Sequence, residues 1–116
     1  MNLYCCMITL KNDAKALLFA KALDDWMGHL QSAGVIGNWR LLRRKLNLAA
    51  DCYRDFMLEI EVDGLGQLEQ AFRLTGTHDD EVAQMHRAVN DLIATSEFAL
   101  YRPYPDSERA ERMALL

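Results

Sequence analysis

From Phe56 to Val62 apolar and polar side chains alternate. Phe56, Leu58, Ile60 and Val62 share one face, and Met57, Glu59 and Glu61 share the other. A period of two marks a strand with one buried face. A second run, Trp39 to Lys45 and on to Leu46, precedes it across the polar connection Asn47–Asp55. Two such runs joined by a short polar link predict a β-hairpin. In the first run one face carries Trp39, Leu41, Arg43 and Lys45, and the other carries Arg40, Leu42, Arg44, Leu46 and Leu48. The second set keeps more aliphatics toward its end. It is therefore expected on the side of Phe56, Leu58, Ile60 and Val62, which would leave Trp39 and Arg43 with Met57, Glu59 and Glu61.

The segments around the hairpin follow other periods. Met1–Leu10 is apolar on both phases, as suits a central strand covered on both faces. Asn12 or Asp13 can cap a helix by accepting from the free amides of its first turn. Ala16, Phe19, Ala20, Leu23, Trp26, Met27 and Leu30 then recur in threes and fours, predicting one amphipathic helix ending near Ala33. Gly34 suits the left-handed position after it. A second helix is predicted from Asp63-Gly64 to Gly76, burying Leu65, Leu68, Ala71 and Phe72. Thr77 with Asp80 and Glu81 resembles the cap of a third, whose stripe is Val82, Met85, Val89 and Leu92. Ile93–Tyr101 reads as a last strand, stopped by Pro103 and Pro105. Asp106 or Ser107 could begin a short helical tail, about 106–116.

The predicted order is β-α-β-β-α-α-β. Without the extra helix this is the split βαβ, ferredoxin-like order of an α+β fold. Its antiparallel four-stranded sheet, ordered 4-1-3-2, carries its helices on one face. The two most apolar runs then fall in the two central strands. The other face would hold Trp39, Met57, Tyr101 and half of the first strand, more apolar surface than a small monomer leaves wet. A homodimer, with two open sheet faces opposed, is expected.

Composition narrows the function classes. With 116 residues the chain is expected to form a single domain, 1–116, that buries roughly 65% of its unfolded surface. The net charge of -4 argues against a nucleic-acid partner, because phosphate binding needs excess Lys and Arg. No apolar run approaches the roughly 20 residues of a membrane span, and no signal peptide is recognisable. The cysteines, Cys5, Cys6 and Cys52, show no metal-ligand spacing, and adjacent strand residues point apart, so a cytoplasmic protein without disulfides is expected. No cofactor and no metal site are expected.

The strand Asn2–Leu10, the long helix ending in Gly34, the basic strand Trp39–Arg44 and Asp55–Val62 running into Leu65–Glu69 resemble the dimeric α+β barrel superfamily. The two successive helices before the last strand resemble NIPSNAP-like and stress-responsive barrel proteins. The chain is also similar to small bacterial proteins of unknown function. That superfamily includes cofactor-free monooxygenases, haem-degrading enzymes, isomerases and proteins without known activity, so the resemblance implies fold and dimerisation more than chemistry.

Candidate chemistry is sparse. Glu59, Glu97 and Tyr101 share the parity of the open face. A partly desolvated Glu59 could act as a base, and Tyr101 could donate to a developing oxyanion. Arg43, a rigid donor fork, could anchor an anion or pair with Glu59 across the strands. Trp39, Arg43, Glu59, Glu97 and Tyr101 are therefore the candidate residues for binding a small molecule, with Glu59 and Tyr101 the catalytic candidates. The alternatives are a cofactor-independent monooxygenase or isomerase built on them, or a filled, salt-bridged interface without a pocket. His29 falls on a helix flank, where the C-terminal dipole favours a cation. His78 and His86 lie near Asp79, Asp80 and Glu81, acids that suit a helix first turn without a metal. The sequence contains no nucleophile elbow and no phosphate loop.

Overall fold

The computed structural model describes residues 1–76 and 80–106. The elements are β1 (Asn2–Leu10), a 3-10 turn (Asp13–Lys15), α1 (Ala16–Ser32), β2 (Trp39–Arg43), β3 (Phe56–Val62), α2 (Leu65–Thr75), α3 (Asp80–Asn90) and β4 (Ile93–Tyr101). The strands form one antiparallel sheet ordered β2-β3-β1-β4, the ferredoxin-like arrangement. The expected Thr77 cap, His78 and the helical tail lie outside the described residues.

Local chemistry sets the boundaries. Asn12 accepts from the Ala14 amide at 3.0 Å, which starts the 3-10 turn ahead of α1. The predicted stripe of α1 packs inward, with Phe19, Leu23, Trp26, Met27 and Leu30 all buried. Gly34 follows with φ +76°, a conformation that costs a side chain. In β3 burial alternates as expected, and Phe56, Leu58, Ile60 and Val62 join Cys6, Ile8 and Leu10 of β1 in the core.

The register corrects the expected facing of β2. Trp39 pairs with Ile60, Leu41 with Leu58 and Arg43 with Phe56. Directly paired residues share a face, so Trp39, Leu41 and Arg43 lie on the helix side. Arg40 and Leu42 lie on the open side with Glu59 and Met57. Trp39 and Leu41 pack against the core accordingly. Counting aliphatics failed because β2 ends at Arg43. Leu46 and Leu48, which tipped the count, belong to the loop and are 78% exposed.

Two further corrections concern α2. Leu65 and Phe72 were expected in its buried stripe, but they are 70% and 54% exposed, while Leu68 and Ala71 are buried. The helices also leave the β4 edge uncovered, with Phe98 58% exposed on their side of the sheet.

Candidate functional site

On the open face the register lays residues in rows across the sheet. One row runs Arg40, Glu59, Cys5, Ala99, and the next runs Leu42, Met57, Met7, Glu97. Tyr101 stands opposite Leu3. Glu59, Glu97 and Tyr101 thus share one face, as their parity predicts. They do not converge, however. Glu59 is on β3, whereas Glu97 and Tyr101 are on β4, two strand spacings or about 10 Å away.

Each carboxylate has its own cation. Arg40 Nε donates to Glu59 Oε2, and the bond and the charge of Glu59 together push the Arg40 pKa up. The Glu59 side chain is only 12% exposed. Arg54, from the loop between β2 and β3, donates to Glu97 at 2.9 Å. Arg43 reaches neither acid. It holds Asp13 and lies over the Phe56 ring, 5.3 Å from its centroid. The expected pair of Arg43 with Glu59 is replaced by Arg40 with Glu59, because β2 has the opposite facing.

The loop that carries Arg54 is built on Arg44. Its guanidinium donates to Asp55 (2.8 Å), Asn47 (3.2 Å) and the Tyr53 carbonyl (3.3 Å), while Leu46 and Asn47 turn the chain with φ +56° each. The fold brings Tyr53, Arg54 and Leu48 beside Met7, Leu42 and Met57 around a pocket of about 410 Å³ on the open face.

A second cavity, about 300 Å³, lies between the helices and the sheet. Leu23, Trp26, Met27 and Leu30 of α1 contribute to its lining, along with Cys6 and Ile8 of β1 and Leu58 and Ile60 of β3. Toward β4 it meets Tyr4, Phe72 and Phe98. Tyr4 stacks on Phe98 with ring centroids 5.6 Å apart and meets Phe72 edge-on at 5.9 Å. The polar side chains of this lining include His86 and Asn90 of α3, Thr75 of α2 and Ser96 of β4. Trp26 packs against His86 at 5.5 Å and stacks with His29 at 6.1 Å.

The thiol and phenol in this cavity are held neutral. Burial, followed by the neighbouring Cys5, pushes the Cys6 thiol up to about 12, so it is no thiolate nucleophile at neutral pH. Burial also raises Tyr4 above its ordinary range, with Cys6 adding to the effect. All three cysteines are free. Among the described residues no group of three or more His, Cys, Asp or Glu side chains could hold a metal ion.

None of Tyr4, Trp26, Phe72, His86, Asn90 and Phe98 was among the expected site residues. The spacing Val82, His86, Val89 does place His86 on the inward stripe of α3, which is a readable signal. Phe98 and Tyr4 follow from strand parity only once the register is known.

The architecture and the cavity are accompanied by a family match over residues 1–116. The chain belongs to a family of unknown function, DUF6614. No curated protein sequence matches it. Its fold is similar to that of SnoaB, a cofactor-independent oxygenase from Streptomyces nogalater, with a TM-score of 0.66, 13% identity and coverage of 88% of this chain and 91% of that one. It is similar to a dabb family protein with a ferredoxin-like fold from Mesorhizobium loti, with a TM-score of 0.60, 18% identity and coverage of 88% and 95%. A dimeric protein of unknown function with a ferredoxin-like fold from Bacteroides fragilis matches with a TM-score of 0.60, 12% identity and coverage of 86% and 93%. These likenesses establish the ferredoxin-like fold. In the described residues no helix is long and apolar enough to cross a membrane.

Proposed function

We propose that this protein is a homodimer that binds a small, largely apolar molecule in the cavity between its helices and its sheet. The cavity carries the reading. About 300 Å³, lined mainly by aliphatic and aromatic side chains with a few polar groups, is the make-up of a small-molecule site. The cavity adjoins the β4 edge, where Phe98 and Phe72 are more than half exposed, so a ligand has a way in. This reading places the ligand within each protomer and leaves the pocket expected between facing sheets as a separate proposal.

The dimer half of the proposal rests on the open face. Leu3, Cys5, Met7 and Met57 form a half-buried apolar band there, with Leu42 38% exposed beside it. A second copy on this face would cover the band and complete the desolvation of Glu59. The dimeric protein from Bacteroides fragilis supports this arrangement by fold alone. The paired helices α2 and α3 ahead of β4 support the NIPSNAP-like or stress-responsive barrel subtype, and the free cysteines support a cytoplasmic location.

A second reading is cofactor-independent oxygenase or isomerase chemistry. SnoaB, a cofactor-independent oxygenase of similar fold, favours it. In this reading the helix-side cavity holds the substrate. Glu59 and Tyr101 on the open face serve the interface instead, since they stand on strands two spacings apart.

Native mass spectrometry at micromolar concentration tests the proposal. A dimer is expected, together with adducts of one small molecule per protomer after exposure to apolar ring compounds. A clean monomer overturns the dimer. A dimer that takes up no compound, or that takes up as much with the cavity narrowed by Ala71→Leu, overturns the binding reading.

A further inference from the structure

His86 occupies a position on α3 that a core side chain would ordinarily fill. Val82 and Val89 of the same stripe are buried, at 4% and 5% exposure, and His86 lies between them half-buried. Its ring packs on Trp26, yet it has no hydrogen-bond or charged partner among the described residues. Asn90 stands one turn later, so the two side chains share a helix face and line the same cavity. Ser96 lines it from β4. Asn90 and Ser96 are exposed and likewise have no side-chain partner among the described residues. The deep wall, from Leu23 to Leu58 and Ile60, is apolar.

This division gives the cavity a direction. Polar groups that would have to pair if buried are gathered on one side, where water reaches them while the cavity is empty. A fully apolar ligand would displace that water without replacing its hydrogen bonds, which loses affinity. A ligand with one hydroxyl on an otherwise apolar ring would place its rings on the deep wall. It would offer the hydroxyl to the imidazole, whose unprotonated nitrogen accepts, and would accept in turn from the Asn90 amide. Discrimination then follows from the asymmetry between a satisfied and an unsatisfied polar group.

We propose that His86 and Asn90 form the recognition pole of this cavity, selecting apolar ring molecules that carry one hydroxyl. His86 is the group that takes the hydroxyl hydrogen bond, and Trp26 fixes the plane of its ring. The proposal rests on the cavity reading above and adds the ligand class and its orientation.

The test compares 2-naphthol with naphthalene on the full-length protein, with binding and His86 ring resonances followed by NMR. Wild type is expected to bind 2-naphthol about three- to tenfold more tightly than naphthalene, the range of one net hydrogen bond. 2-Naphthol should shift the His86 ring nitrogen resonances, and naphthalene should leave them nearly in place. In His86→Leu the preference should fall to about one while naphthalene affinity stays within about twofold, and His86→Gln should restore part of the preference. If naphthalene binds, but 2-naphthol gains nothing and leaves the His86 nitrogens unmoved, the recognition pole is wrong and the cavity reading survives. If neither compound binds, both fall. The wild-type resonances carry the decision even where a variant fails to fold.

Discussion

Arg43 and Asp13 join the edge strand to the start of the first helix. Arg43 Nη2 donates to both carboxylate oxygens of Asp13, each at 2.9 Å, across thirty positions of sequence. The same guanidinium lies over the Phe56 ring. Both partners of the ion pair are more than half exposed, so the pair itself contributes about 0–1 kcal/mol. The ring contact adds about 0.5–1 kcal/mol.

Arg43→Ala is therefore expected to lower unfolding stability by about 1 kcal/mol, measured by urea titration. Arg43→Lys should recover only part of this, because an ammonium has no flat guanidinium to lay over the Phe56 ring. Dimerisation should be unchanged, since Arg43 faces away from the open sheet surface, and ligand binding should be unchanged, since Arg43 does not line the helix-side cavity. A large loss of binding in Arg43→Ala would return this residue to the ligand site.

Strict periodicity made most of the fold legible. Phe56–Val62 alternates without a fault, the α1 stripe holds over four turns, and Gly34 marks its end; each signal is local, and the structure follows it. The facing of β2 was not legible, because its register depends on pairing with β3 and on where a twelve-residue loop begins. Leu46 and Leu48 look like strand residues but are exposed loop residues. The cavity was harder still. Its lining draws on three helices and three strands, and no local pattern announces that Tyr4, Trp26 and His86 will meet. Parity did place Glu59, Glu97 and Tyr101 on one face. It could not give the two strand spacings between them.

The Arg40–Glu59 pair sits on the β2–β3 side of the face proposed for dimerisation. Removing Arg40 leaves a nearly buried carboxylate alone, and a second sheet would deepen that burial. Arg40→Ala should weaken the dimer at least tenfold by analytical ultracentrifugation and also lower the monomer's unfolding midpoint, because Glu59 is already nearly buried before a second sheet covers it. Met7→Glu, one row away, should abolish the dimer by placing a new charge in its apolar band. Tight dimers from both variants would place the interface elsewhere.

Gly34 ends α1 with its carbonyl accepting from the Gln67 side chain at 3.1 Å, which ties the helix end to α2. An added Cβ meets no atom within 4 Å, so crowding is not the issue. The positive φ is. Gly34→Ala should cost about 1–2 kcal/mol of stability, with no change in cavity binding. Gly28, also free of close neighbours but without a positive φ, should gain helix stability when replaced by Ala, by roughly 0.5–1 kcal/mol. Thermal melts of the two variants should thus move in opposite directions.

Cys6 gives the fold an alkaline limit. Its thiol rises from an ordinary 9.0 to about 12 in the folded protein. Between those values the folded state keeps the proton and the unfolded chain releases it. Stability is then fully present below about pH 9 and falls as pH rises toward 12, by at most about 1.4 kcal/mol per pH unit from this group. Tyr4, also raised, steepens the fall in the upper part of the same window. Cys6→Val, which keeps an apolar side chain of similar size, should flatten the decline between pH 9 and 10, before Tyr4 contributes. Denaturant unfolding at half-unit pH steps would show this. An unchanged slope in Cys6→Val would mean that the thiol ionises in the folded state as readily as in the unfolded chain.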